Sequence, residues 1–196
     1  NRALLTGKLD DDFDVALRMF LTTINDSVDG DLIIRAVNEE GFIKRGVKEL
    51  QADIIETNAD VVVIDPIYLM DFEYNTSRTA GGDIARTAER LRWVAGNTNT
   101  VMHIVTQAEE TKESADEDGV REINIPTRAE LKKSKAILEV SALTIGLDTA
   151  DGNGVLEAKK GRSGGEGVRC DVLFIPNYGI VREMETGEAA ASQFNF

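Results

Sequence analysis

Apolar residues recur at helical spacing three times in the first hundred positions, and shorter apolar runs separate them. Phe13, Leu17, Phe20, Leu21 and Ile24 predict an amphipathic helix over 11–26, behind Asp residues suited to the positive end of a helix. Ile43, Val47, Leu50, Ile54 and Ile55 predict a second helix. Ile84, Ala88, Leu91 and Val94 predict a third, ending near Gly96. Residues 31–37 (DLIIRAV), 60–65 (DVVVID) and 101–107 (VMHIVTQ) predict strands. The last two are almost wholly apolar, the pattern of parallel strands covered on both faces.

Beyond these the texture changes. Residues 108–127 are polar and acidic and read as a loop, and 128–141 as helical or irregular. Runs at 142–148, 154–161, 168–176 and 179–184, joined by Gly, Asp and Asn turns, predict strands ending in antiparallel hairpins. No pattern follows position 185. The expected fold is therefore α/β, a mostly parallel doubly wound sheet with C-terminal antiparallel hairpins. The 196 residues suffice for one such domain, placed at 1–184 with a tail at 185–196.

Charge changes this picture only locally. The formal net charge of −13 argues against a general nucleic-acid binder. The acid lies mainly in 10–14 and 109–118, while 128–135 (RAELKKSK) and 159–162 (KKGR) are basic. No run approaches the roughly 20 apolar residues of a membrane span. Cys170, the only cysteine, allows no intramolecular disulfide and is expected to be a buried thiol. With His103 the only histidine, a Cys/His zinc site is not expected either.

Four places could carry chemistry. Asp65 ends an apolar strand, where a carboxylate can hold the water shell of a nucleotide-bound Mg²⁺; an ordinary strand-end aspartate is the plainer reading. Gln107 ends the next strand and, taken alone, reads most simply as a polar residue closing a strand. His103, four residues earlier, is expected to be packed in the core. Lys160 and Arg162 precede a glycine-rich turn (SGGEG), so a hairpin tip could present them to phosphate; a solvated hairpin is the alternative. Lys132, Lys133 and Lys135 could follow a single-stranded backbone, or simply form a charged helical face. One motif is missing from the sequence. A phosphate-cradling loop needs G-x-x-x-x-G-K-[ST], and the only Gly-Lys pair, Gly7-Lys8, is followed by Leu9.

Taken in order, four segments resemble the RecA-type core of DnaB-type replicative helicases of bacteria and their phages. They are TGKLDDDFD at 6–14, VVVIDPIYLM at 61–70, IVTQ at 104–107 and KKGRSGGEG at 159–167. The resemblance spans roughly residues 5–182. It implies a motor that couples ATP hydrolysis to movement along single-stranded DNA, working as a ring, usually a hexamer, in the cytoplasm of a bacterial host. It implies Asp65 as the Mg²⁺ residue, Gln107 as the γ-phosphate sensor, and Lys160 and Arg162 acting on a neighbouring subunit's ATP. It aligns 131–135 with the family's central DNA loop and Lys132 with its basic residue. A primase or a helicase loader is the expected protein partner.

The departures matter. Pro66 and Tyr68 replace residues that are commonly Tyr and Gln, and Lys133 and Lys135 stand where Glu and Gly are common. The P-loop and the catalytic glutamate would lie before Asn1, so a fragment of a longer motor is expected. The competing expectations are a catalytically inactive RecA-fold module that binds DNA or a partner ring, and another RecA-fold ATPase such as a recombinase paralogue. In this fold the P-loop strand lies between the strands expected at 101–107 and 142–148. Without it, those two strands should pair directly, or a second chain should fill the gap.

Overall fold

Two helix-to-strand joints of the same kind organise the larger part of the chain. In a computed structural model, residues 11–27, 29–40, 42, 45–74, 82–108, 121–127, 130 and 135–184 are described. They fall into two units, Asn1–Ile43 with Ile175–Ile180, and Lys44–Phe174 with Val181–Phe196.

The first unit holds helix α1 (Asp11–Ser27). Arg18 Nε reaches Asp14 one turn back at 2.8 Å, and the Thr22 and Thr23 hydroxyls donate to the carbonyls of Arg18 and Met19. The strand expected at 31–37 does not form. This stretch joins no sheet, and Leu32 and Ile34 are exposed. An apolar run becomes a strand only where another edge accepts its backbone groups, and it finds none here.

The second unit begins with α2 (Val47–Thr57), β1 (Val61–Ile64), α3 (Gly82–Thr98) and β2 (Val101–Ile104). Each helix stops at an asparagine in the left-handed region, Asn58 at φ 51° and Asn99 at φ 54°, and a strand follows within three residues. Asparagine tolerates that conformation, so it ends the helix and turns the chain toward the sheet. Thr100 completes the second joint: its hydroxyl donates to the Ala59 carbonyl at 3.1 Å, beside the first joint.

Strands β1 and β2 pair in parallel, from Val61 opposite Val101 to Ile64 opposite Ile104. Period two sends Val62, Ile64, Met102 and Ile104 toward one face. There they pack with Val47 and Ile54 of α2, Ala88, Leu91 and Val94 of α3, and Ile67. Helix α4 (Lys135–Val140) packs against α3 and adds Ile137 and Val140 to this core. The opposite face of the strands, with Val61, Val63, Val101, His103 and Val105, is exposed. These apolar runs are therefore covered on one face, not on both.

After α4 come β3 (Leu143–Ala150), β4 (Asn153–Gly161), β5 (Arg169–Ile175) and β6 (Ile180–Glu183), a four-stranded sheet in sequential order. β3–β4 and β4–β5 pair antiparallel, as the turn signals predict. The expected mostly parallel sheet needs correction: parallel pairing among the described residues is confined to β1 and β2. Among the described residues β2 pairs with β1 and β3 with β4, in two separate sheets, so the expected direct pairing of β2 with β3 is not made. Cys170 is half-buried rather than buried.

Candidate functional site

Parallel pairing makes the chain leave both strands at the same end, where Asp65 follows β1 directly and Gln107 lies further along the segment after β2. Ile64 and Ile104 are partners in the ladder, so the chain leaves both strands side by side at the carboxyl end of the pair. Asp65 is the next residue after β1, and Gln107 lies three beyond β2; both are exposed. The exits are tied together. Val105 N–H donates to the Ile64 carbonyl at 2.9 Å, and Ile67 N–H donates to the Val105 carbonyl at 3.0 Å. The peptide between Asp65 and Pro66 is cis. Open α/β sheets bind ligands at this end of their strands. His103 is exposed, contrary to the expected core position, because Met102 and Ile104 take the inward side of β2.

Asp65 is a single carboxylate, and no group of three metal-binding side chains occurs among the described residues. One carboxylate fits an Mg²⁺ held mainly by phosphates and water. It does not make a site for the bare ion. The sequence holds no loop to cradle the phosphates. No step of phosphoryl transfer is assigned to the chain alone.

Lys160 and Arg162 gather at the last turn of α4. Helix ends leave carbonyls without intrahelical partners, and cations are favoured there. Arg162 donates to the Glu139 carbonyl at 2.9 Å, and Lys160 donates to Glu139 O at 3.0 Å and also to Leu138 O. Arg92, on α3, reaches Val140 O at 3.4 Å. The backbone fixes this placement, because Arg162 N–H donates to Ala142 O at 2.9 Å and extends the β3–β4 pairing past the end of β4. Gly161 is required here, since a Cβ would strike the Gly164 carbonyl. The turn that follows uses Gly164, Gly165 and Gly167, all at positive φ. Sequence reading found Lys160 and Arg162 and missed Arg92, because a lone arginine on an exposed helical face carries no signal.

Lys132 and Lys133 lie outside the described residues, as do the expected acidic loop at 109–120 and the tail at 185–196. Lys135 is the first residue of α4 and is exposed. Just before the basic segment, Glu130 accepts from Thr127 N–H at 2.6 Å and from its hydroxyl at 2.8 Å. These bonds hold Glu130 below the usual carboxylate range. The T-x-x-E spacing of a capping box was a legible signal that the sequence reading passed over.

Residues 121–127 strap across one face of β3. Ile125 sits over Gly146, where a Cβ would come within 2.6 Å of its Cγ2. Arg121 donates to the Thr149 carbonyl and to Asp148 Oδ1, each at 2.9 Å, and Asn124 N–H donates to Asp148 Oδ2 at 2.6 Å. Burial pushes the Asp148 carboxyl up. Arg121 and the amides of Asn124 and Thr149 outweigh it and hold the group below its ordinary range. A cleft of about 320 Å³ beside the start of α2 is lined by Gly46, Glu49 and Asp71 among others, and includes neither Asp65 nor Gln107. No described helix is long and apolar enough to cross a membrane.

No protein-family model matches this sequence, and no curated protein matches it. Among solved structures, the chain is similar to a DnaB-like replicative helicase described together with its interactions with primase. The TM-score is 0.68 at 14% identity, over 91% of this chain. The chain spans 42% of the length of that helicase chain. At this identity the likeness is one of fold.

Proposed function

We propose that this chain is part of the motor core of a DnaB-type replicative helicase, its ATPase core residues running through 1–184. The observation that carries the reading is the parallel pair whose carboxyl end leads directly to Asp65 and, three residues beyond β2, to Gln107, within a fold similar to that of a DnaB-like helicase. On this reading Asp65 faces the Mg²⁺ of ATP and Gln107 responds to its terminal phosphate. Lys160 and Arg162 contact phosphate across a subunit boundary, and Lys132, Lys133 and Lys135 follow single-stranded DNA. The assembly is a homo-oligomeric ring, hexameric in the resemblance, working in the cytoplasm of a bacterial or phage-infected cell. Primase or a loader is its protein partner. The missing phosphate loop favours a second reading for the chain by itself, a RecA-fold module that binds DNA or a partner ring without hydrolysing ATP. The coding sequence upstream of Asn1 separates the two.

Two measurements test the proposal. The purified chain, given Mg²⁺-ATP and oligothymidine, should release phosphate at the blank rate. Turnover abolished by Asp65→Ala would overturn the claim that the phosphate cradle lies outside this sequence. Binding to oligothymidine should be weak and salt-sensitive, each lysine contact contributing about 0.7 to the log–log salt slope. Replacing Lys132, Lys133 and Lys135 together by Ala should remove it. Unchanged affinity would assign these lysines to a solvated surface.

A further inference from the structure

We propose that Arg92, Lys160 and Arg162 form a latch on the C-terminal turn of α4 that opens when phosphate anions occupy the basic hairpin tip. Three cationic side chains from two separate elements converge on the consecutive carbonyls of Leu138, Glu139 and Val140. Helix α4 has six residues, too few to hold itself in water. Its order therefore rests on Ile137 and Val140 in the core and on what satisfies its terminal carbonyls. The same helix carries Lys135, and the segment with Lys132 and Lys133 directly precedes it.

An arginine or lysine bonded to a carbonyl exchanges that bond for one to a phosphate oxygen when the anion binds, because the phosphate adds a full ion–ion attraction that a carbonyl dipole lacks. Anion binding at the hairpin tip and gripping of α4 thus compete for Lys160 and Arg162. When phosphate wins, the end of α4 loses two of its three cations and frays. Arg92 acts as the stationary part of the latch, since it projects from α3, whose Leu91 and Val94 are fully buried. This coupling deepens the reading of the hairpin as a phosphate-contacting element and rests on it.

Hydrogen exchange of the intact chain, read over 135–142, tests the latch without DNA or ATP. Arg92→Ala and the pair Lys160→Met with Arg162→Gln should each speed exchange there by about two- to fivefold. Exchange in α3 should stay unchanged. Millimolar inorganic pyrophosphate should do the same to the unsubstituted chain, against sodium chloride at equal ionic strength. It should have no further effect on the Lys160/Arg162 variant. No change in either variant would overturn the latch. Faster exchange in the variants without a pyrophosphate effect would also overturn it, leaving a static helix cap. Binding to oligothymidine is read separately, so loss of the DNA reading leaves this result standing.

Discussion

The helix-covered parallel pair and the antiparallel sheet are parts of one chain held together by different means. In the first, Val47, Ile67, Ala88, Leu91 and Val94 are wholly covered, and the polar groups inside it finish joints between elements. Thr87 shows the pattern: its hydroxyl donates to the Asp83 carbonyl and accepts from Glu73 N–H. In the antiparallel sheet only Val155 and Val172, with Ile125 of the strap, are buried apolar residues, while Leu143, Ile145 and Leu147 are exposed. What meets across that sheet is largely polar. Arg121 of the strap pairs with Asp148, Lys159 pairs along its own strand with Glu157 at 2.7 Å, and the hairpin cations reach α4. Area burial changes little with salt or pH, whereas partly exposed charge contacts respond to both. The parallel pair is thus suited to hold Asp65 and Gln107 still. The sheet, held by partly exposed charge contacts, is the part whose order should respond to salt and pH.

The largest expected effect attacks the covered layer. Leu91→Ala should destabilise the chain by about 2–5 kcal/mol, the range for emptying a fully buried leucine site. Urea unfolding followed through the fluorescence of Trp93, the only tryptophan, measures it. Leu147→Ala, on the exposed face of β3, should stay within about 0.5 kcal/mol of the parent. A comparable loss at both positions would break the comparison, because it would mean that the Leu147 face is covered in solution.

A middling effect is expected at the strap. Gly146→Val places a side chain against Ile125, and overpacking of this kind costs about 1–3 kcal/mol. The loss should appear first as faster amide exchange in 121–127, with a smaller shift of the Trp93 midpoint than Leu91→Ala gives. Unaltered exchange in the strap would show that Ile125 does not rest on Gly146.

How much of this was legible in the sequence follows from the same division. Helices α2 and α3 were readable because one-sided burial leaves a 3.6-residue rhythm, as Ala88, Leu91 and Val94 do; α1 carries the same rhythm although Phe13 and Phe20 are exposed. The hairpins were readable from their turn glycines. The coverage of β1 and β2 was not, since VVVI looks the same whether one face or both are buried. The run at 31–37 misled for a related reason: apolar character is local, but a strand needs a partner edge, and that is tertiary. Asp65 was legible as the residue ending its strand, whereas Gln107, expected to end the next one, lies three residues beyond β2, which stops at Ile104. Arg92, Arg121 and Asp148 were not legible. A charged residue in a sequence reads as solvated until the fold shows which carbonyl or carboxylate it meets.

The smallest expected effect is the most diagnostic of the polar region. Asp148 is held below its ordinary value of about 3.8, because Arg121 and two backbone amides favour the charged form more than burial opposes it. A depressed carboxylate contributes stability that is complete above its unfolded value and is lost as the pH falls through its folded value. The strap should therefore loosen only below the ordinary aspartate range, while the layer around Leu91 stays intact. Asn124 reports the event directly, since its amide donates to Asp148 Oδ2 at 2.6 Å. In amide-resolved NMR the Asn124 proton should shift at a pH below the ordinary aspartate midpoint. Asp148→Asn should abolish that shift and flatten the acid dependence of strap exchange. Glu130 is also held below its ordinary range, through its bonds to Thr127. Glu130→Gln is accordingly the control, and it should leave the Asn124 titration unchanged. An Asn124 amide that titrates at or above the ordinary aspartate value would place Asp148 outside the Arg121 contact, and the strap would then owe its place to Ile125 alone.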